Sequence, residues 1–578
     1  MQRLLPIFAA AGVGVVLGCS NANGGSPLSG LGGSGGSNVG SGGFGGAGIR
    51  NSAGTAGVVL DVDAGVVDSG PETPTGQEGP RLPRPAFPGT PILGEGAPSN
   101  AAALFASAPS GAESSAPCIT DPGADAMYPG NWLRPRISFK AAGGENLFEL
   151  KLRTAQEPNA LVVYTKNTWW TMPRDMWQRL TNSSELQKVE INVRGGIFDG
   201  NTLTGITARS SQSFYIAPLQ ADAGGSILYL GGSTDDAVVG GALKGFLVGD
   251  ENVEVVLSTA NVNARQAQAT GGTFGYSAGS PDGKFVSAII GNDNQPWKPF
   301  LASIEKGNEG GEPLFVTEGG RDALRSMSLD LVSLAAFSPA HWNESEHVEV
   351  LPGPSGEPQW VLLDAPGSGA GTAYGTLARE GDPRGVNPKL PNLAWSHDGA
   401  RIVYLSSNSG TWETDLYTIP YNERRGGTAT PLIGAAEPDW NEYYPDISAD
   451  DRFVIFSRDR AGWVEAAVVP AAGGKATSLR ANETSTCVTA NAVMGPRFSP
   501  FVKTVAGTTY YWFTFSSGRL ANRPQLYLGA ITVAAGSSAV QSYGAVHLWN
   551  LPDDETSFGA QWADLNVPHA PDPETPPR

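Results

Sequence analysis

The sequence predicts an all-β protein: a small β-sandwich followed by a six-bladed β-propeller, both carried on a disordered N-terminal tether. Three observations predict it. Residues 118–218 break into short runs of alternating or continuous apolar character. Residues 219–567 repeat a turn-and-strand unit with a period of several tens of residues, which is the signature of propeller blades. Most of the stretch 19–117 is rich in Gly, Ser, Ala and Pro and offers few large apolar side chains to bury.

The chain starts Met1-Gln2-Arg3 and continues as an apolar run from Leu4 to Leu17. That run is a signal-peptide core, shorter than the ~20 residues a spanning helix needs. Val16-Leu17-Gly18-Cys19 resembles the bacterial lipobox, in which the cysteine thiol takes a diacylglycerol. The resemblance implies cleavage after Gly18, lipidation of Cys19 and anchoring by several acyl chains. Ser20 as the second mature residue resembles the outer-membrane sorting pattern, facing either the periplasm or the cell surface. The expected division is 1–18 signal peptide, 19–117 tether, 118–218 sandwich, 219–567 propeller and 568–578 disordered tail.

The chain carries 38 basic and 56 acidic residues, a formal net charge of -18. That excludes a sequence-independent nucleic-acid binder, which needs clustered cations to displace counterions from phosphates. With Cys19 lipidated, Cys118 and Cys487 form an even pair in an oxidising compartment. A disulfide between them is a candidate, with two free thiols as the alternative.

The sandwich strands are expected at 136–139, 147–152, 161–164, 189–193 and 206–218, suggesting an immunoglobulin or fibronectin type III arrangement. Trp169 to Leu180 reads as the one helical stretch. In the repeating unit, Ser280-Pro281-Asp282-Gly283 precedes an apolar strand, and so does Ser396-His397-Asp398-Gly399. Weaker copies are Phe337-Ser338-Pro339, Ile447-Ser448-Ala449-Asp450-Asp451 and Phe498-Ser499-Pro500. The marker serines 280, 338, 396, 448 and 499 are therefore 51 to 58 residues apart. One unit reads as inner strand 393–395, a positive-φ turn at Asp398-Gly399, then strands at 401–406, 415–419 and 428–432. An earlier blade fits 225–230 and 242–248, and a last strand near 558–565 is expected to close the ring against it.

The S-P-D-G and S-H-D-G turns, the apolar strand ending in Ser and the later Asp415-Leu416-Tyr417 strand resemble the TolB-like, or PD40, propeller repeat. With Tyr128-Pro129-Gly130-Asn131-Trp132-Leu133-Arg134-Pro135 opening a sandwich ahead of it, the arrangement is also similar to a group of Gram-negative lipoproteins. Some of that group carry a haem-attachment motif before the first marker turn. The matching positions here are Thr273, Tyr276 and Ser277, so no haem and no other cofactor is expected.

No catalytic residue and no metal site is assigned. Gly275-Tyr276-Ser277-Ala278-Gly279 lacks the following helix of a nucleophile elbow, and Gly32 to Gly36 lies in the tether. His341 and His347, with Glu344, Glu346 and Glu349, read as a solvated loop. Ser406 to Trp412 departs from a sialidase Asp-box, and Gly367 to Gly371 lacks the Lys and helix of a phosphate loop. The candidate recognition loop is Asp439, Trp440, Asn441, Glu442, Tyr443 and Tyr444, between the outer strand of one blade and the inner strand of the next. Aromatic rings beside carboxylates there suit a peptide or a sugar. The expected function is a non-enzymatic envelope lipoprotein that binds or scaffolds a partner protein or peptide through its propeller. The alternatives are a carbohydrate-active or hydrolytic propeller with dispersed carboxylates, and a purely structural envelope protein.

Overall fold

The computed structural model describes residues 86–107 and, with gaps, 116–563; gaps of more than two residues are 233–240, 267–272, 314–335, 353–359, 364–377, 383–392 and 408–412. The expected signal peptide, Cys19, most of the expected tether and the expected tail lie outside the described residues. No helix among the described residues is long and apolar enough to cross a membrane.

Two sheets form the N-terminal unit. The larger runs, from edge to edge, through Ile92–Leu93, Leu161–Thr165, Leu147–Thr154, Gln187–Phe198, Ser210–Ile216 and Ala126–Tyr128, with Leu203–Thr204 added to the long strand. The smaller is Cys118–Asp121, Arg136–Lys140 and Trp169–Thr171. Alternation makes the packing. Leu150, Leu152, Val163, Val189, Ile191, Val193 and Phe214 point inward to meet Ile119, Ile137 and Phe139 of the other sheet.

The expected two-layer packing is present, but the strand order is not that of an immunoglobulin domain, whose sheets hold about four and three antiparallel strands. Here both outer edges of the larger sheet pair in parallel, Ile92–Leu93 with the strand at 161 and Ala126–Tyr128 with the strand at 210. Parallel edges arise because these two short segments enter from elsewhere in the chain rather than through a hairpin.

Two further expectations are corrected. Residues 86–107, assigned to the tether, pack on the sandwich: Phe87 is fully buried, and helix Ala101–Ser107 sets Phe105 against Tyr164 at 5.5 Å. Composition missed it because two phenylalanines suffice to dock an otherwise Ala-, Gly- and Pro-rich stretch. The expected helix from Trp169 begins instead at Arg174 and ends at Leu180, after a strand over Trp169–Thr171. Pro173 sets the helix start, since its fixed φ and missing N–H suit the residues before the first turn.

Among the described residues six blade sheets follow in a ring, and a separate two-stranded parallel sheet pairs Ala378–Glu380 with Gly426–Thr428. Blade one is Ser226–Gly232, Ala242–Leu247 and Glu254–Leu257, completed at its inner edge by Thr556–Ala563. Blade two is Thr273–Gly279, Phe285–Asn292 and Gln295–Ser303; blade three is Ala336–Asn343, Glu346–Pro352 and Trp360–Leu363. Blade four is Leu393–Trp395, Arg401–Ser407, Thr414–Pro420 and Thr430–Pro431. Blade five is Asn441–Ile447, Phe453–Arg460, Trp463–Pro470 and Thr477–Ser478. Blade six is Met494–Val505, Thr508–Ser517, Gln525–Ala534 and Val540–Ser542, with Val546–His547 beside the third strand.

Closure is visible in the pairing. The last strand lies antiparallel to the first, Ile227 opposite Trp562 and Gly231 opposite Ser557, so the first and last described strands of the propeller share one blade. The six inner strands touch in cyclic order, and that of blade six returns to Thr556–Ala563. Such a ring removes the exposed edges that an open sheet would present at its centre.

The sandwich and the ring share one core. Met127, Tyr128, Trp132 and Phe214 cluster with Tyr510, Trp512, Leu526 and Leu528 of blade six and with Ile227, Tyr229 and Trp562 of blade one. The disulfide Cys118–Cys487 fastens the sandwich strand Cys118–Asp121 to the connection between blades five and six. Arg480 of that connection reaches Asp125, and Ser485 donates to the Ile119 carbonyl. Burial at this joint pushes the Asp121 carboxyl up to about 7, although it accepts the His547 N–H, and pushes the His547 ring down to about 4.

Candidate functional site

The marker motif is a turn that builds the mouth of the ring. Ser280, Ser396 and Ser448 are buried, and each hydroxyl donates to the carboxylate two residues on, at 2.6, 2.6 and 2.7 Å. Each hydroxyl also accepts the N–H of the residue that opens the second strand, Phe285, Arg401 or Phe453. The serine thus holds inner and second strands in register. Gly399 has φ +70°, and a Cβ there would lie 2.5 Å from His341, so both conformation and space require glycine. Asp451 of the next blade accepts the His397 and Asp398 N–H groups at 2.7 and 2.9 Å, tying blade five to blade four.

At this end of the ring, residues of all six inner strands, with turn residues of blades two, three, four and six, line an axial cavity of about 280 Å³. Pro281, Pro339 and Pro500, each just after its marker serine, form part of the rim, and His397 holds the same place in blade four. Inside lie Asp446 and Arg497. Arg497 Nη1 donates to the Pro445 carbonyl at 2.7 Å and stands 3.7 Å from Asp446 Oδ1. Asp446 Oδ2 accepts the Phe498 N–H at 2.6 Å. Burial raises the Asp446 carboxyl above its usual range, against the opposing pull of Arg497, the Phe498 N–H and His397. Neither residue was singled out from sequence. The signal that finds them is register, because each lies two positions before a marker serine.

The loop expected to border the funnel lies at the other end of the inner strands, and none of its six residues lines this cavity. Antiparallel order separates the two: turns that join the first and second strands and crossings that join blades must lie at opposite ends. Asp439 is exposed, 3.8 Å from Arg460. Trp440 lies under the Arg458 guanidinium at 4.2 Å. Asn441 opens the inner strand of blade five, and Glu442 is fully buried there, its Oε1 accepting the Glu437 N–H. Burial, with Asp415 nearby, pushes Glu442 up to about 8. Tyr443 and Tyr444 meet edge to face at 5.3 Å, and Phe558 packs on Tyr444.

Other motifs resolve locally. Gly275 to Gly279 is the end of a strand that runs into the Ser280 turn and a second strand. His341 Nδ1 bonds the Ser338 hydroxyl at 2.7 Å and its ring packs on Tyr421, while His347 packs on Trp342. Among the described residues no group of three His, Cys, Asp or Glu could hold a metal ion. Glu344, the 408–412 part of the Asp-box-like segment, the two other glycine-rich matches and His569 lie outside the described residues.

No family model matches the chain, and no curated protein matches it significantly. Solved structures do resemble it. TolB from Acinetobacter baumannii is 12% identical, over 65% of this chain and 79% of that one, with a TM-score of 0.34. A chain of the nidogen/laminin complex is 10% identical, over 59% and 98%, at 0.32. A puromycin hydrolase is 17% identical over 53% of this chain and half of its own length, at 0.29. The propeller assignment rests on the strand pairing above.

Proposed function

We propose that the protein is an envelope lipoprotein, anchored through Cys19, whose propeller is a non-enzymatic module that binds a partner protein at the marker-turn end of its axis. The observation that carries this reading is the axial cavity. It is concave, drawn from every blade, ringed by rigid proline-bearing turns, and furnished with a few placed polar groups, which is the composition of a recognition site. The Ser280, Ser396 and Ser448 hydroxyls are engaged as turn staples, which supports a structural role for them rather than nucleophilic attack.

The test is photo-crosslinking in the native envelope, with the reactive residue placed at Pro500 on the rim or, as control, at exposed Trp463 on the hairpin of blade five. Pro500 is expected to give a discrete adduct with an envelope protein and Trp463 none. Adducts from Trp463 alone, or none from Pro500, would overturn the reading. Metabolic labelling with a fatty acid, abolished by Cys19→Ser, tests the anchor.

A further inference from the structure

Counting back from the marker serines aligns one residue of every inner strand around the cavity. Two positions before the serine stand Ala278, Ala336 and Ala394 in blades two, three and four, then Asp446 and Arg497 in blades five and six. In blade one Gln561 takes this place, two before Ala563, and all six residues line the cavity. Three consecutive blades therefore carry alanine at this position, Ala278 and Ala394 buried and Ala336 partly exposed, and the other three a carboxylate, a guanidinium and a carboxamide whose Oε1 accepts the Gly279 N–H.

Backbone irregularity marks the same positions. A register shift falls immediately before the aligned residue in blade one (between Phe558 and Gln561), blade two (between Tyr276 and Ala278), blade five (between Tyr443 and Asp446) and blade six (between Met494 and Arg497). A β-bulge re-aims the side chain that follows it. All three polar members of the ring follow one. In blade five the bulge holds Tyr444 at φ +54°, a conformation costly for a bulky residue.

The polar half is balanced. Arg497 uses Nη1 on the Pro445 carbonyl, leaving Nε and Nη2 as donors, and Asp446 beside it offsets the charge. A charged ligand would break that balance. A group that offers a donor to Asp446 and an acceptor to Arg497 without net charge keeps it, and a peptide amide is such a group. Sugars also carry donors and acceptors, but they bind by stacking on exposed rings. The rings beside this cavity, Phe337, Trp395, Phe498 and Trp562, are at most 9% exposed, and Trp395 Nε1 is engaged on the Ala336 carbonyl.

We infer that the axial cavity reads an uncharged interior segment of an extended peptide, with one backbone amide held by Asp446, Arg497 and Gln561 and a small apolar side chain set on the alanine half. This rests on the binding-module reading and names the chemistry that the module selects.

The test is affinity selection on the full chain with a pool of random hexapeptides, acetylated and amidated at their ends, beside an uncapped pool and a panel of chito- and cello-oligosaccharides. Capped peptides with small apolar residues are expected to be retained. Arg497→Gln should weaken retention about tenfold or more, the scale of one hydrogen bond to a charged group. Gln561→Leu, on a different blade, should weaken it as well, and Ala336→Leu should abolish it by filling the apolar half. A thermal melt confirms that each variant is folded. Preference for the uncapped pool, retention of sugars instead of peptides, or retention indifferent to these substitutions would overturn the inference. Should Pro500 still cross-link to its partner while neither peptide pool is retained, the binding-module reading stands and the amide inference fails; loss of both signals sinks both.

Discussion

The two ends of the propeller axis use similar residues in opposite ways. At the crossing end, Trp440, Glu442, Tyr443 and Tyr444 make the sequence look like a recognition surface, yet each is spent on packing: the indole under Arg458, the carboxylate inside, the tyrosines on each other and on Phe558. At the marker-turn end, the sequence shows prolines, alanines and short turns, yet there Asp446, Arg497 and Gln561 line an open cavity, each also bonded within the ring. Residue type alone does not mark a site. What marks it is whether the fold sets the side chains along a cavity or packs them against one another.

The largest effect that tests this division concerns the crossings as scaffold. The disulfide Cys118–Cys487 spans 369 residues of sequence and anchors the sandwich to the crossing between blades five and six. Cys118→Ser or Cys487→Ser is expected to cost about 2–5 kcal/mol in denaturant unfolding. The Pro500 adduct should persist wherever the variant is folded. An adduct lost from folded Cys487→Ser protein would show that the crossing end shapes the other mouth, and the comparison would break.

A second effect comes from Glu442. Burial disfavours the charge and pushes its carboxyl up to about 8 in the folded chain, against a usual 4.5. Between those values the native state holds a proton that the unfolded chain has released, so stability falls as pH rises from about 4.5 to about 8 and then levels. Glu442→Gln should remove that contribution and stabilise the protein at pH 8 by up to ~4 kcal/mol relative to the wild type, read from unfolding curves at pH 5 and pH 8. A wild-type slope unchanged in the variant would mean that the carboxylate is hydrated, and that the crossing end is open after all.

Much of the ring was legible in advance because blades are local. The marker serine lies next to its own turn and second strand, so the spacing that brings Ser396 to Arg401 is written within six residues. The closing strand was legible too, because Thr556–Ala563 is apolar and alternating and the first blade lacked an inner partner. What stayed hidden depends on distant contacts. Docking of 86–107, the parallel edges of the sandwich and the core shared with blades six and one involve partners tens to hundreds of residues apart. The axial ring was hidden differently: Ala394, Asp446, Arg497 and Gln561 occupy one register with no common residue type, and bulges, which follow no sequence rule, aim three of them.

The smallest effect is the sharpest discriminator. Trp440 is half-buried, with Arg458 at 4.2 Å and Arg460 at 5.8 Å from its ring. If those guanidiniums are its partners, Trp440→Ala removes a partly exposed cation–π stack and costs ~1 kcal/mol in stability. Arg458 would keep its Glu465 carboxylate at 2.6 Å, so the neighbouring strands should hold their register and the melt should shift by only a few degrees. The adduct from Pro500 should then form at the wild-type level. A Trp440→Ala chain that melts normally yet loses its partner would put recognition at the crossing end, because an indole that contributes to binding and not to folding is the behaviour of a contact residue.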